Sequence, residues 1–265
     1  MENKIQLNKK EIRHIRRLAF SKKNIFDNEM VSILDENKEY LFLKNPITQN
    51  IYKYLIDYLC SFSKKWFGNK YIKILDWGCG KGHVSYWLKK MGENVTSCDV
   101  TNTGVTSAFV INSPLYSKAG IEIIQLKHNY NLPFDDSSFD VVLSFGVLEH
   151  VPNDIESLKE INRILKQNGL FFCFHLPYTL SYTQNIAHLG GNWYHSKLYG
   201  KKQVINLLKR ANMEILDIWH RALFPKRKFI LPFYHVIERI DNWLCNYSIL
   251  KYFATNIEFV AKKEI

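Results

Sequence analysis

The chain has 265 residues, of which 46% are hydrophobic and 23% are charged, and its formal net charge is +11. This composition is that of an ordinary soluble domain and disfavours a disordered, collagen-like or coiled-coil chain. The length suffices for one domain with a substantial core and a few insertions. The charge favours an anionic partner, such as nucleic acid, a phospholipid surface or an acidic substrate, but a solvated lysine-rich surface explains it equally well.

The cysteines and the hydropathy pattern favour a cytoplasmic protein. The chain has five cysteines in an odd, widely spaced set without any Cys-x-x-Cys pair, which does not indicate a disulfide framework. No stretch approaches the roughly 18 to 20 consecutive apolar residues of a membrane-spanning helix. The N-terminus is polar and basic and lacks the apolar core of a signal peptide.

The first 70 residues predict a helical cap that leads into a core domain. Residues 1–45 are polar and basic with scattered apolar positions. Between Ile47 and Phe62, apolar side chains recur at helical spacing, which predicts an amphipathic helix. We therefore assign residues 1–70 to the cap with its lead-in helix and residues 71–265 to the main domain.

The main domain opens with the pattern strand, glycine turn, helix, strand. The run YIKILDW is a short apolar strand, GCGKG is the turn, HVSYWLKKMG is a helix that stops at glycine, and NVTSCDV is a second strand. Further apolar runs at 121–126, 139–145 and 170–176 predict strands, and 154–167 predicts a helix that ends at an Asn-Gly pair. The alternation predicts an α/β fold with a mainly parallel sheet and helices on both faces.

The last third of the chain adds a loop, two strands and an insertion. Residues 177–199 form a loop rich in histidine, glycine and aromatic residues, 201–211 predicts a helix, and MEILDIWH and NIEFVAKK predict strands. The insertion at 221–255 contains apolar residues that share one helical face. These are Phe233, Val236, Ile237, Ile240, Trp243 and Leu244.

The glycine turn carries the strongest chemical signal. Gly78, Gly80 and Gly82 directly follow a strand, where missing side chains let a ligand approach the backbone at the start of a helix. Asp76 precedes the first glycine and Asp99 stands near the end of the next strand, where a carboxylate can accept hydrogen bonds from both ribose hydroxyls. The NAD fingerprint GxGxxG needs its third glycine one position later, so the spacing disfavours a dinucleotide. A tight turn without a ligand is the remaining alternative.

Three separate blocks resemble the class I S-adenosylmethionine-dependent methyltransferases, particularly the methyltransferase-11-like group. They are ILDWGCGKG, NLPFDDSSFDVVLSFGVLEHVPN and LKEINRILKQNGLFFCF, and they lie in the same order as in that group, within residues 71–177. The resemblance implies a Rossmann-like, seven-stranded, mostly parallel sheet whose last strand is antiparallel. It also implies S-adenosyl-L-methionine as the cofactor, above the carboxyl ends of the first strands.

The same resemblance implies nine cofactor-binding positions. By this resemblance, the residues around the methionine part of the cofactor are Asp76, Gly78, Cys79 and Gly80. Asp99 holds the ribose, Val100 and Asn129 contact the adenine, and Phe145 and Gly146 wall the pocket. One departure concerns the adenine amine, which an acidic residue often binds in this family. Here KHNYNLPF has no acid, and the amide oxygen of Asn129 is the substitute.

Two histidines are candidates for a catalytic base. Methyl transfer needs alignment in a dry pocket, and a base adds about 10²- to 10⁴-fold if the acceptor is a hydroxyl. His150 lies in VLEHVPN, which belongs to the family pattern, and His195 lies in the loop GGNWYHSKLY. Each histidine has a second interpretation, in which it only orders its loop by hydrogen bonding.

Other motifs are missing from the sequence. No His, Cys and Asp cluster has ligand spacing, so we expect no metal site. The fourth strand is followed by SFGVLEH rather than an Asn/Asp-Pro-Pro-aromatic motif, which argues against methylation of a base amine, and no RNA-recognition motif supports nucleic-acid binding.

The insertion at 221–255 has two interpretations. Lys226, Arg227 and Lys228 precede its aromatic, apolar helix. The helix either packs on the protein or rests on an anionic membrane and brings the enzyme to a lipid-linked acceptor.

The predicted function is methyl transfer to a small-molecule, glycan or lipid-precursor acceptor, preferably on oxygen. A catalytically silent nucleotide- or partner-binding module of the same fold is the alternative, followed by an NAD-dependent reductase.

Overall fold

The computed structural model describes residues 7–21, 27–34, 40–68, 70–100, 113–128, 130–191, 195, 197–224 and 232–264. The chain divides into two compact units, one up to Lys127 and the other from His128. The predicted domain ranges 1–70 and 71–265 stay a prediction.

The first unit contains five helices and three strands among its described residues. The helices are α1 (Lys9–Ser21), α2 (Asn28–Leu34), α3 (Pro46–Phe67), α4 (His83–Lys90) and α5 (Pro114–Lys118). The strands are β1 (Lys73–Trp77), β2 (Asn94–Val100) and β3 (Ile123–Leu126). The predicted helix at 47–62 is therefore confirmed, and it continues to Phe67. It begins where Asn45 accepts a hydrogen bond from the Ile47 amide and proline occupies the first helical position.

The second unit contains the remaining strands. They are β4 (Phe139–Phe145), β5 (Leu165–Pro177), β6 (Met213–Arg221) and β7 (Asn256–Lys263). Its helices are α6 (Asp154–Ile164), α7 (Tyr182–Leu189), α8 (Lys201–Arg210) and α9 (Tyr234–Tyr247), with 3₁₀ turns at Leu148–His150 and Ile249–Phe253.

The strands form a seven-stranded sheet in the order β3-β2-β1-β4-β5-β7-β6. Within the first unit, β1 pairs with β2 and β2 pairs with β3 in parallel. Within the second, β4 and β5 are parallel, whereas β7 is antiparallel to both β5 and β6. The predicted Rossmann-like fold with an antiparallel last strand is confirmed. Parallel strands place their carboxyl ends at one edge, so the glycine turn after β1 and Asp99 near the end of β2 share an edge of the sheet.

The structure corrects two predicted boundaries. The helix expected at 154–167 ends at Ile164, and Leu165 already belongs to β5, where it is fully buried and pairs with Phe139. Lys166 forms an ion pair with Asp140 in this first part of the strand, at 2.7 Å. Burial and strand pairing therefore outweigh the helical periodicity of 165–167. The loop expected at 177–199 contains the helix α7.

The described cysteines are all buried and free: Cys60, Cys79, Cys98, Cys173 and Cys245. Within the described ranges, no helix has the length and apolar character needed to cross a membrane.

Candidate functional site

The turn after β1 depends on glycine. Gly78, Gly80 and Gly82 have φ values of 73°, 51° and 78°, which L-residues with side chains rarely adopt. A Cβ on Gly82, the N-cap of α4, would lie 2.7 Å from the ring of Tyr116. A Cβ on Gly80 would meet no atom of the described residues within 4 Å, so none of them fills the space beside Gly80. The turn therefore offers a bare backbone surface to a ligand.

Asp99 is fixed at this turn by two backbone amides. Its Oδ2 accepts a hydrogen bond from the Gly80 amide at 2.6 Å, and its Oδ1 accepts one from the Val100 amide at 2.7 Å. A carboxylate has about four lone-pair sites, so two bonds leave capacity for the two hydroxyls of a ribose. Burial raises the pKa of Asp99, and the two amides oppose that shift. The side chain is half-buried, which keeps it accessible to a ligand.

Asp76 is more buried than Asp99 and is hydrogen-bonded to a residue of the helix that follows the turn. Its carboxyl group is buried and accepts a hydrogen bond from the Ser85 hydroxyl at 2.5 Å, and Ser97 donates to Ser85 at 2.7 Å. Burial raises the pKa of Asp76 to about 7, against the effect of the Ser85 hydrogen bonds. The three side chains join β1, α4 and β2 at the glycine turn.

Cys79 and Val100 are both buried at this end of the sheet. The Cys79 sulfur contacts the Tyr116 hydroxyl at 3.4 Å, and the same hydroxyl donates a short hydrogen bond to the Gly80 carbonyl. Burial raises the pKa of the Cys79 thiol well above its usual range, so the thiol is not a nucleophile at neutral pH. Asn129, the predicted adenine contact, lies outside the described residues.

His83 begins α4 inside a box of aromatic rings. Its ring contacts Tyr52 edge-on at 4.5 Å between centroids, and it also meets Phe42 and Trp87 edge-on. Neither ring nitrogen has a hydrogen-bond partner in the described part of the chain. Burial, assisted by the charge of Lys81, lowers the pKa of His83 to about 3. His83 is therefore a neutral core residue, and it occupies the position where the NAD fingerprint needs glycine.

In the second unit, a glycine with positive φ follows β4. Gly146 has φ 67°, and its amide donates to the Phe174 carbonyl at 2.9 Å. A Cβ on Gly146 would lie 3.4 Å from Oε1 of Glu149. Phe145 packs against Phe174 and edge-on against His175. The two predicted wall residues, Phe145 and Gly146, thus lie next to the 3₁₀ turn that carries His150.

Both predicted histidines lie beside Glu149. His150 Nε2 and His195 Nδ1 are each 3.9 Å from Glu149 Oε1, and the two imidazole centroids are 5.4 Å apart. Glu149 is 3% exposed, and neither of its carboxyl oxygens accepts a hydrogen bond from another residue that the structure describes. Burial raises the pKa of Glu149 to about 8, against the effect of its own amide. Burial lowers the pKa of His150, and burial together with His150 and His188 lowers the pKa of His195 to about 4.

Several bonds hold the His195 segment against the turn after β4. Lys197 donates to the Val151 carbonyl at 2.5 Å and forms an ion pair with Asp154 at 2.6 Å. Tyr199 donates to the Leu148 carbonyl at 3.0 Å and to Asp154 at 2.9 Å. These bonds bring two segments together that are far apart in sequence. No local spacing in the sequence therefore predicts this cluster, although Glu149 stands in the VLEH motif.

By the order of its strands, the chain is a Rossmann-like α/β protein with a glycine turn after its first strand. Residues 75–173 match the family model described as a methyltransferase domain. A ubiquinone biosynthesis O-methyltransferase of Maricaulis maris is 32% identical over 125 residues, which are 46% of this chain and 47% of that protein. A demethylmenaquinone methyltransferase of Staphylococcus epidermidis is 38% identical over 104 residues, which are 38% of this chain and 42% of that protein. The matched part thus spans less than half of either relative.

A solved structure supports the fold over almost the whole chain. A candidate sarcosine dimethylglycine methyltransferase of Galdieria sulphuraria has a TM-score of 0.58 and 13% identity, and the match covers 95% of this chain and 98% of that one. Residues 75–173 therefore form a domain of the class I S-adenosylmethionine-dependent methyltransferase family, as the three sequence blocks predicted. S-adenosyl-L-methionine is the cofactor that this family implies.

Proposed function

We propose that the protein transfers a methyl group from S-adenosyl-L-methionine to a hydroxyl oxygen of a small-molecule, glycan or lipid-precursor acceptor. The observation that supports this proposal most directly is the glycine turn with Asp99 fixed above it, inside a methyltransferase domain. The open space at Gly80 and the remaining lone pairs of Asp99 suit a nucleoside ligand.

The cofactor contacts follow from these positions. Asp99 holds the ribose hydroxyls, and the backbone at Gly78 and Gly80 admits the methionine part without a side chain in the way. Asp76 and Cys79 line the same turn. The family resemblance also assigns Val100 and Asn129 to the adenine and Phe145 and Gly146 to a pocket wall, and these assignments stay predictions.

The acceptor hydroxyl needs a group that takes its proton. S-adenosyl-L-methionine supplies an electrophilic methyl group when it is bound. The low pKa of His195 keeps this imidazole neutral at pH 7, so one ring nitrogen retains a lone pair that can accept a proton. His150 offers a second acceptor in the same cluster. A base of this kind contributes about 10²- to 10⁴-fold to the rate.

The names of the two relatives narrow the acceptor to a testable set. One relative acts in ubiquinone biosynthesis and the other on demethylmenaquinone by name. We therefore place hydroxylated quinone precursors first among the acceptors. A radiolabelled methyl-transfer screen that contains such precursors, a glycan and a small phenol tests this order, and transfer to the glycan alone would overturn it.

Cofactor titration tests the function before the acceptor is known. Isothermal titration with S-adenosylhomocysteine, with NAD in parallel, is expected to show selective binding of the former. Preference for NAD would favour a reductase. Selective binding without methyl transfer to any acceptor would favour a catalytically silent module. The intact glycine turn and Asp99 argue only against a module that has lost cofactor binding.

We also propose peripheral contact with an anionic membrane through α9. The exposed side of this helix is apolar, whereas its acidic residues face the protein: Asp241 accepts hydrogen bonds from the Leu223 and Phe224 amides at 2.8 and 2.7 Å. A helix on a water-exposed surface normally has the opposite arrangement. The exposed apolar residues of α9 and its flanking segment are Phe233, Val236, Ile240, Trp243, Tyr247, Ile249, Leu250, Tyr252 and Phe253.

The positive charge of the protein favours contact with an anionic rather than a neutral membrane surface. The chain carries a formal net charge of +11, and Arg239 is exposed on α9 itself. Lys226, Arg227 and Lys228 add to this charge in sequence, although they lie outside the described residues. Membrane-surface helices combine an apolar side with such basic residues.

Liposome flotation tests this contact. Vesicles with phosphatidylglycerol are expected to bind the protein more strongly than vesicles of phosphatidylcholine alone. A variant with Ile240→Ser and Trp243→Ser is expected to lose binding, and Leu189→Ser, at a more exposed apolar residue of α7, serves as its control. Equal flotation of the wild type and the double variant would overturn the proposal.

A further inference from the structure

The cluster of Glu149, His150 and His195 has the dimensions of a cation site. One ligand atom from each residue lies within 4.8 Å of the other two. The separations of 3.9 Å from Glu149 Oε1 to the two imidazole nitrogens are too long for hydrogen bonds. They are short enough for all three atoms to contact one bound ion. Two ligands of one tetrahedral zinc ion lie about 3.4 Å apart, because each is about 2.0–2.2 Å from the metal. The 3.9 Å separations exceed this distance by about 0.5 Å.

Glu149 supplies a buried carboxyl group that can bind a cation once its proton is displaced. A buried carboxyl group without hydrogen-bond donors costs free energy unless it is paired with a cation or coordinates one. Glu149 has no donor from another residue within the described ranges, and each imidazole approaches it at a distance that leaves a gap. Gly146 leaves room for the carboxylate, since a Cβ there would lie 3.4 Å from Oε1. The group is therefore placed as a ligand rather than as part of a completed hydrogen-bond network.

The rest of the loop fixes the third ligand. His188 donates from Nε2 to the His195 carbonyl at 3.1 Å, which anchors the backbone of His195. Lys197 and Tyr199 bind Asp154 and the carbonyls of Leu148 and Val151 on the segment around the 3₁₀ turn. A preorganised ligand set of this kind loses little freedom when an ion binds.

The donor types select the class of ion. Two imidazoles with one carboxylate suit zinc and similar divalent transition metals, whereas magnesium and calcium prefer oxygen ligands throughout. Three protein ligands leave a further coordination position for water or a substrate oxygen. We infer that Glu149, His150 and His195 form a binding site for a divalent transition-metal ion with an open coordination position.

The inference changes the roles of the two histidines. An imidazole that coordinates a metal through its lone pair cannot accept a proton through the same nitrogen. In a metal-bound protein the histidines would thus be ligands, and the open position would be available to the acceptor hydroxyl, whose pKa a bound metal would lower so that its proton could pass to water. This last step rests on the proposed function, whereas metal binding itself does not.

Zinc titration of the metal-free protein tests the site without cofactor or acceptor. After chelator treatment and dialysis, isothermal titration with zinc chloride is expected to show one site per chain. Glu149→Gln and His195→Ala are each expected to weaken binding by at least about tenfold, because each removes one of three ligands. The control is His235→Ala, which removes an exposed imidazole from α9 and is expected to leave zinc affinity unchanged.

Cobalt(II) identifies the ligands by spectroscopy. Cobalt is expected to give the visible absorption of a site with nitrogen and oxygen ligands, without the thiolate charge-transfer band that binding at a cysteine would produce. Circular dichroism establishes that each variant is folded, and His195→Gln replaces His195→Ala if the latter is not. Failure to bind zinc, binding that the Glu149 and His195 variants leave intact, or a thiolate band would overturn the inference. S-adenosylhomocysteine affinity is measured separately, so loss of metal binding and failure of the proposed function are distinguishable.

Discussion

Asp76 and Asp99 beside the glycine turn and Glu149 beside the two histidines are all carboxyl groups largely removed from water, but their surroundings differ. Asp76 accepts from Ser85, and Asp99 accepts from two amides. Glu149 accepts no hydrogen bond from another described residue. The first region is complete within the protein and presents a formed surface to a neutral ribose. The second lacks a positive partner, which is what a cation would supply.

The largest expected effect concerns Asp99. Asp99→Ala removes both potential ribose bonds, each worth about 1.5–3 kcal/mol when the acceptor is charged, so S-adenosylhomocysteine affinity is expected to fall by roughly 100-fold or more. Isothermal titration measures the loss. Glu122→Ala, at an exposed carboxylate of the same unit, is the control. Unchanged affinity in Asp99→Ala would show that this carboxylate does not hold the ribose.

Ser85→Ala tests whether Asp76 depends on its donor. The variant leaves the buried Asp76 carboxyl group without the Ser85 hydrogen bond and deprives Ser97 of its acceptor. The free energy of unfolding is expected to fall by about 1–3 kcal/mol in urea denaturation. Ser117→Ala, at an exposed serine of α5, is expected to have little effect. A stable Ser85→Ala protein would mean that water satisfies Asp76.

In metal-free protein, Glu149→Met is expected to increase stability, whereas Ser85→Ala decreases it. Because the carboxyl group has no donor, an apolar side chain of similar size is expected to raise the free energy of unfolding by about 1–2 kcal/mol at pH 7. Urea denaturation in the presence of a chelator measures this change. A less stable variant would indicate a hydrogen-bond donor from outside the described residues and would remove the contrast with Asp76.

Zinc is expected to reverse the order of stability of the wild type and Glu149→Met. With zinc in excess, ligand binding stabilises the wild-type fold, whereas Glu149→Met lacks a ligand and gains little. The same denaturation series with and without zinc therefore separates a metal site from a merely unpaired carboxyl group.

The sequence predicted the core strands and the cofactor turn better than the second cluster. The bounds of β2, β4 and β7 were predicted without error, since each is a continuous run of strand-forming residues between turn signals. Helix α7 was missed although Tyr182, Ile186 and Leu189 lie at helical spacing, because it is only eight residues long and none of its residues is buried. The glycine turn and Asp99 lie on adjacent strands of one βαβ unit, which local spacing reveals.

The histidine cluster could not be found in this way. His195 reaches Glu149 through contacts of Lys197 and Tyr199 with the segment after β4, and no sequence spacing encodes those contacts. The exposure of the apolar face of α9 likewise depends on Asp241, which binds the Leu223 and Phe224 amides and turns the acidic side of the helix inwards.

The smallest expected effect concerns His83, whose buried ring has no hydrogen-bond partner among the described residues. The charged and titratable groups that face it are Lys81 and Tyr52, and its pKa is lowered to about 3. As the pH falls from 7.5 to 5.5, the unfolded chain gains a proton at this histidine near its ordinary pKa of about 6.5, whereas the folded protein does not. Stability is therefore lost towards acid pH, by about 1.4 kcal/mol over this range.

His83→Phe keeps a ring in the aromatic box and removes the titrating group. The free energy of unfolding of the variant, relative to the wild type, is expected to rise by about 1.4 kcal/mol between pH 7.5 and pH 5.5. Urea denaturation at the two pH values measures the difference, with His14→Phe, at an exposed position of α1, as the control. A difference that does not change with pH would mean that His83 takes up a proton in the folded protein, and that the aromatic box admits a charge as the glutamate cluster is proposed to do.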